Sequence, residues 1–83
     1  MKAKIYITYK EGILDPEGAT ISKALDSMGI NGIKNLSVGK CIEMELSSNN
    51  YDDAQTIIEK SCKKLLANPN TEQYSYEILE NDE

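Results

Sequence analysis

The chain has 83 residues, 40% of them hydrophobic and 28% charged, which is enough apolar content for one compact domain and too much for a disordered chain. Net charge is −5, every basic residue is Lys, and His is absent, so an Arg-built nucleic-acid surface and a His-based transition-metal site are both excluded as leading readings. No apolar run approaches the roughly 20 residues needed to span a bilayer, and the first nine residues lack the uninterrupted apolar stretch of a signal peptide, so no membrane partner and a cytoplasmic location are expected.

Ala3, Ile5, Ile7 and Tyr9 alternate with Lys2, Lys4, Tyr6, Thr8 and Lys10, the period-two pattern of a strand with one buried face. Asp15-Pro16-Glu17-Gly18 then predicts a helix start, because Asp15 can cap, Pro16 suits the first turn and Glu17 complements the positive end of the dipole. Ile21, Ala24, Leu25 and Met28 follow at helical spacing, and Gly29 can end the helix, giving a span of about 16–28. From 32 to 47 strand character returns, with Ile33, Leu36 and Val38 before Gly39-Lys40 and Ile42, Met44 and Leu46 after it, which predicts a hairpin turning at Gly39-Lys40. Asn49 or Asn50 caps a second helix whose inner face is Tyr51, Ala54, Ile58, Cys62 and Leu65, widened by Ile57 and Leu66. Asn68-Pro69 stops it, since Pro69 biases Asn68 away from helical geometry. Tyr74, Tyr76 and Ile78 alternate with Ser75, Glu77 and Leu79 as a last strand.

The order strand, helix, strand, strand, helix, strand predicts an α+β ferredoxin-like sandwich, a four-stranded antiparallel sheet with both helices on one face. One domain over 1–79 is expected, followed by a mobile acidic tail, 80–83.

No catalytic constellation emerges. Glu43 with Glu45 and Asp52 with Asp53 are placed in solvent, where neither carboxyl is desolvated enough for acid–base work. Cys41 and Cys62 lie in different elements, form no CxxC pattern and have no His to act as a base, so reduced thiols that pack are the expectation. Gly12 to Gly18 lacks the spacing of a phosphate loop and puts acid where phosphate would bind. An RNA-binding sheet face is disfavoured because Glu43 and Glu45 share that face with Tyr6. A dimeric, amino-acid-binding regulatory domain of the ACT type shares this element order and is the alternative reading.

Three segments carry a resemblance: Lys10-Glu11-Gly12-Ile13-Leu14-Asp15-Pro16-Glu17-Gly18, Val38-Gly39-Lys40-Cys41-Ile42-Glu43, and Cys62-Lys63-Lys64-Leu65-Leu66-Ala67-Asn68-Pro69 with Glu72 and Tyr74. In this order and at this length the chain resembles the PurS family, the small subunit of phosphoribosylformylglycinamidine synthase (FGAM synthase) in purine biosynthesis. The resemblance implies a non-catalytic assembly subunit that bridges a glutaminase subunit and a large ATP-dependent synthetase subunit and supports ammonia transfer between them. It also implies a homodimer, in some members a tetramer, that binds no cofactor itself, with ATP, Mg and glutamine used by the partner subunits. Asp15, Pro16, Gly39, Lys40, Asn68 and Pro69 are the motif positions expected to contribute to a partner interface. Lys40 stands out among them because a hairpin tip does not require Lys and an exposed ammonium can meet a partner's carboxylate or carbonyl.

Overall fold

The computed structural model describes residues 1–80; the expected tail beyond Glu80 lies outside them. The elements are β1 (Lys2–Tyr9), α1 (Pro16–Ser27), β2 (Lys40–Glu45), α2 (Tyr51–Ser61), which continues into a π-helical turn (Cys62–Leu66), and β3 (Glu72–Leu79). The three strands form one antiparallel sheet in the order β2-β1-β3. In the centre of β1, Ile5 pairs with Ile42 on one side and Tyr76 on the other.

Ala3, Ile5 and Ile7 are buried, and Ile42, Met44, Leu46, Tyr74, Tyr76 and Ile78 pack around them on the same face, as the alternation predicts. That face is covered by Ala54, Ile58 and Cys62 of α2 and its π-helical turn, all fully buried. Asn50 caps α2, its side-chain oxygen accepting the N–H groups of Asp52 at 2.8 Å and Asp53 at 3.2 Å. Glu59 of α2 accepts hydrogen bonds from the Tyr74 and Tyr76 hydroxyls at 2.6 and 2.7 Å, locking the helix to the β3 side of the sheet.

The four-stranded sheet is not what forms. Residues 32–38, expected as a strand, belong to no sheet, and the predicted hairpin at Gly39-Lys40 does not close. Two interactions fix the chain there. Asp15 accepts the Val38 N–H at 2.9 Å, and Gly39 presses so closely on β1 that a Cβ would sit 2.8 Å from the Ile7 carbonyl oxygen. The second correction concerns α1, which does not lie on the sheet. Its one buried residue is Gly18, none of its side chains joins the core, and Ile21 and the flanking Met28 are 39% and 71% exposed. Together α1 and residues 28–38 form an arm projecting from the end of the sheet. The molecule consequently measures 48 × 32 × 15 Å with a radius of gyration of 16.2 Å, against about 12 Å for a compact chain of this length.

A third difference lies after Ser61. Leu65 is 82% exposed, although helical spacing puts it on the inner face. The Ala67 N–H bonds to the Cys62 carbonyl, five residues back, so the wider turn rotates Leu65 outward and brings Ala67 into the core.

Candidate functional site

The three motif segments converge at one end of the sheet, where β1 finishes and both β2 and β3 begin. Asp15 joins the first two. Its Oδ1 accepts the Gly18 N–H at 2.9 Å, capping α1, while Oδ2 accepts the Val38 N–H, tying the helix start to the segment that leads into β2. Gly18 is required by that junction, since a Cβ there would meet Asp15 Oδ2 at 2.5 Å and the Leu36 carbonyl at 3.1 Å. Pro16 occupies the first helical turn on the exposed side.

The third motif is folded around Asn68. Its Oδ1 accepts the Asn70 N–H at 2.9 Å, its carbonyl accepts the Glu72 and Thr71 N–H groups at 2.7 and 3.2 Å, and its own N–H donates to Glu72 Oε1 at 2.8 Å. Lys10 clasps this turn to the end of β1: its backbone N–H donates to the Thr71 carbonyl at 2.8 Å, and its Nζ donates to the Pro69 carbonyl at 2.6 Å.

Lys40 closes the arrangement. It is the first residue of β2 rather than a hairpin tip, and its Nζ stands 4.0 Å from Glu72 Oε2, with side chains 63% and 16% exposed. Beneath it, Ile7, Tyr9, Glu17, Val38, Gly39 and Glu72 contribute to the lining of a cavity of about 80 Å³. That is several-fold smaller than the roughly 300–1,000 Å³ typical of small-molecule sites. What this end of the molecule offers is an exposed surface of mixed charge.

All six expected positions, Asp15, Pro16, Gly39, Lys40, Asn68 and Pro69, therefore fall in one neighbourhood. Three further residues, Lys10, Gly18 and Glu72, bind the segments together. All three stand in the segments that carry the resemblance, Lys10 and Gly18 at the two ends of the first and Glu72 just after the third, but were not among the positions expected at an interface.

The opposite sheet face carries Lys4 at 3.9 Å from Glu43 and the Tyr6 hydroxyl donating to Glu77 at 2.6 Å. That hydrogen bond and burial push the Tyr6 phenol up to about 12. Cys41 is an exposed free thiol; Cys62 is buried, and desolvation raises its pKa, which makes it unreactive. Among the described residues no group of three or more His, Cys, Asp or Glu side chains could hold a metal ion, and no helix is long and apolar enough to cross a membrane.

A family model for PurS, phosphoribosylformylglycinamidine (FGAM) synthase, matches residues 2–80. The chain is similar to the phosphoribosylformylglycinamidine synthase subunit PurS of Bacillus subtilis, with 37% identity over 79 residues that make up 95% of this chain and 93% of the relative. It is also similar to the crystal structure of Methanocaldococcus jannaschii PurS, one of the subunits of formylglycinamide ribonucleotide amidotransferase in the purine biosynthetic pathway. That likeness has a TM-score of 0.87 at 36% identity and covers 98% of each chain. A chain in the structure of PurLQS from Thermotoga maritima matches with a TM-score of 0.86 at 35% identity, covering 94% of this chain and 95% of that one. With its sequence matched from residue 2 to residue 80, this chain belongs to the PurS family of phosphoribosylformylglycinamidine synthase subunits.

Proposed function

We propose that this chain is the small assembly subunit of a phosphoribosylformylglycinamidine synthase, acting in the cytoplasm as a homodimer that joins a glutaminase subunit to an ATP-dependent synthetase subunit. The observation that carries the reading is its likeness, over nearly its whole length, to a chain in the PurLQS structure of Thermotoga maritima. The clustering of the motif residues supports it. Lys40, Gly39, Asp15, Pro16, Asn68 and Pro69 make one end of the sheet into a braced, charged surface, and such surfaces steer and register a partner. Under this reading the chain binds no cofactor of its own; ATP, Mg and glutamine are handled by the partner subunits, and this subunit supports passage of ammonia between them by holding them in place.

The test is glutamine-dependent amidation of formylglycinamide ribonucleotide by purified glutaminase and synthetase subunits, with and without this chain. Activity that appears on addition and saturates at a fixed ratio is the expected result. An unchanged rate, with partners shown to be competent separately, overturns the proposal.

A further inference from the structure

Glu72 is the first residue of β3 and Lys40 the first of β2, so the two flank β1 at the same end of the sheet, where Glu72 pairs with Tyr9 and Lys40 with Ile7. Glu72 is gripped from two directions. Its backbone N–H donates to the Asn68 carbonyl at 2.7 Å, and its Oε1 accepts the Asn68 N–H at 2.8 Å, a reciprocal pair that fixes the carboxylate together with the turn. The other oxygen, Oε2, faces the Lys40 ammonium at 4.0 Å. The two side chains differ in freedom, that of Glu72 being 16% exposed and that of Lys40 63%.

A single carboxylate therefore serves the second and third motif segments at once, one through each oxygen. As an exposed ion pair the contact with Lys40 adds little stability, but it biases where the ammonium stands. A lysine ammonium rides on a flexible four-carbon stem, and a fixed negative charge beside it narrows the space it samples. Glu17 of α1 lines the same cavity, so a Lys40 released from Glu72 has a second carboxylate to follow, towards α1 and away from the Asn68-Pro69 turn. Building on the assembly role proposed above, we propose that Glu72 is a positioning residue of the partner surface: it holds the Lys40 ammonium in register with the Asn68-Pro69 turn, ready for a carboxylate or carbonyl of the partner subunit. Glu72 acts through Lys40 and the turn, being too well covered to make that contact itself.

Glu72→Gln is the informative change, since the amide oxygen still accepts the Asn68 N–H while the charge facing Lys40 is lost. Glutamine-dependent amidation by the glutaminase and synthetase subunits is titrated with four full-length chains: the parent, Glu72→Gln, Lys40→Met and the double variant. Glu72→Gln is expected to raise the amount of subunit needed for half-saturation about threefold, the scale of one lost exposed charge pair, with the saturated rate unchanged. The double variant should be no worse than Lys40→Met alone, because without the ammonium Glu72 has nothing to position. A merely structural Glu72 would give the same loss in both backgrounds. That result overturns the positioning role, as does a Glu72→Gln titration identical to the parent's or a change confined to the saturated rate; in each case the assembly role stands. A rate that ignores the parent chain altogether overturns the assembly role, and the positioning role with it.

Discussion

Gly39 and Lys40 are neighbours with opposite demands. At Gly39 a methyl group would lie 2.8 Å from the Ile7 carbonyl oxygen and 3.0 Å from Thr8 Cγ2, both on the central strand, which cannot retreat without breaking its pairing on two sides. Gly39→Ala is therefore expected to cost about 1–3 kcal/mol, the usual penalty of forcing an atom into packed structure, read as a lower denaturation midpoint in urea. Lys40 stands beside it with its ammonium mostly in solvent and a long 4.0 Å contact to Glu72. Exposed pairs of this kind contribute about 0–1 kcal/mol, so Lys40→Met should shift the same midpoint little. If the end of the sheet is the partner surface, that variant should still need about fivefold more subunit to saturate the amidation assay, equivalent to about 1 kcal/mol of contact. Replacement by Met is a cleaner probe than reversal to Glu, because Glu17 and Glu72 line the same cavity and a third carboxylate would disturb folding as well. A midpoint shift without an assembly defect would make Lys40 structural. The sequence singled out both residues but misread their setting: a Gly-Lys pair between two apolar alternations has the form of a turn, and nothing local shows that Ile7 will press against the glycine.

The lock between α2 and β3 is an element-scale feature that titration can read. Glu59 is held below the ordinary carboxylate range by the hydrogen bonds it accepts from Tyr74 and then Tyr76, with Lys63 adding to the effect. A depressed folded pKa stabilises the fold above the unfolded value of about 4.3, and that contribution is lost as pH falls through the folded value. The same bonds push the Tyr74 phenol up to about 12 and raise Tyr76. That contribution is fully present below the unfolded phenol value of about 10 and is lost as pH rises through about 12. Glu59→Gln should therefore narrow its stability gap to the parent chain on acidification from pH 6 to pH 3, measured by thermal melts. It should also move part of the ultraviolet tyrosine titration to lower pH. A gap independent of pH would show that Glu59 acts through packing alone. The helix itself was legible from its Asn50 cap, its apolar spacing and the Asn68-Pro69 stop; Leu65 was not, because a single wide turn shifts the phase of everything after it and leaves no trace in residue type.

At the scale of the whole molecule, three strands and α2 make a small core, with Ile5, Ile7, Ile58 and Cys62 its largest fully buried side chains. The order and face of the strands flanking α2 followed from alternation, whereas the fate of 16–38 did not. A sequence written for a strand beside β2 and a helix above it has the same pattern whether the partner surface belongs to its own chain or to another. The thermodynamic consequence differs sharply between those cases. If the arm's apolar residues are covered by a second copy, folding and association are one equilibrium and stability depends on protomer concentration. A hundredfold rise in protein concentration then stabilises the dimer by about 2.7 kcal/mol through mass action, which for two chains unfolding as one unit raises the melting temperature by roughly 5–10 °C. A closed monomer would melt at one temperature throughout the series. Leu14→Asp, which charges a residue 76% exposed in the single chain, extends the test. In a monomer that change should be nearly silent, while burial of Leu14 against a partner would lower the melting temperature most where the protein is dilute, since weakened association is felt first where copies are scarce.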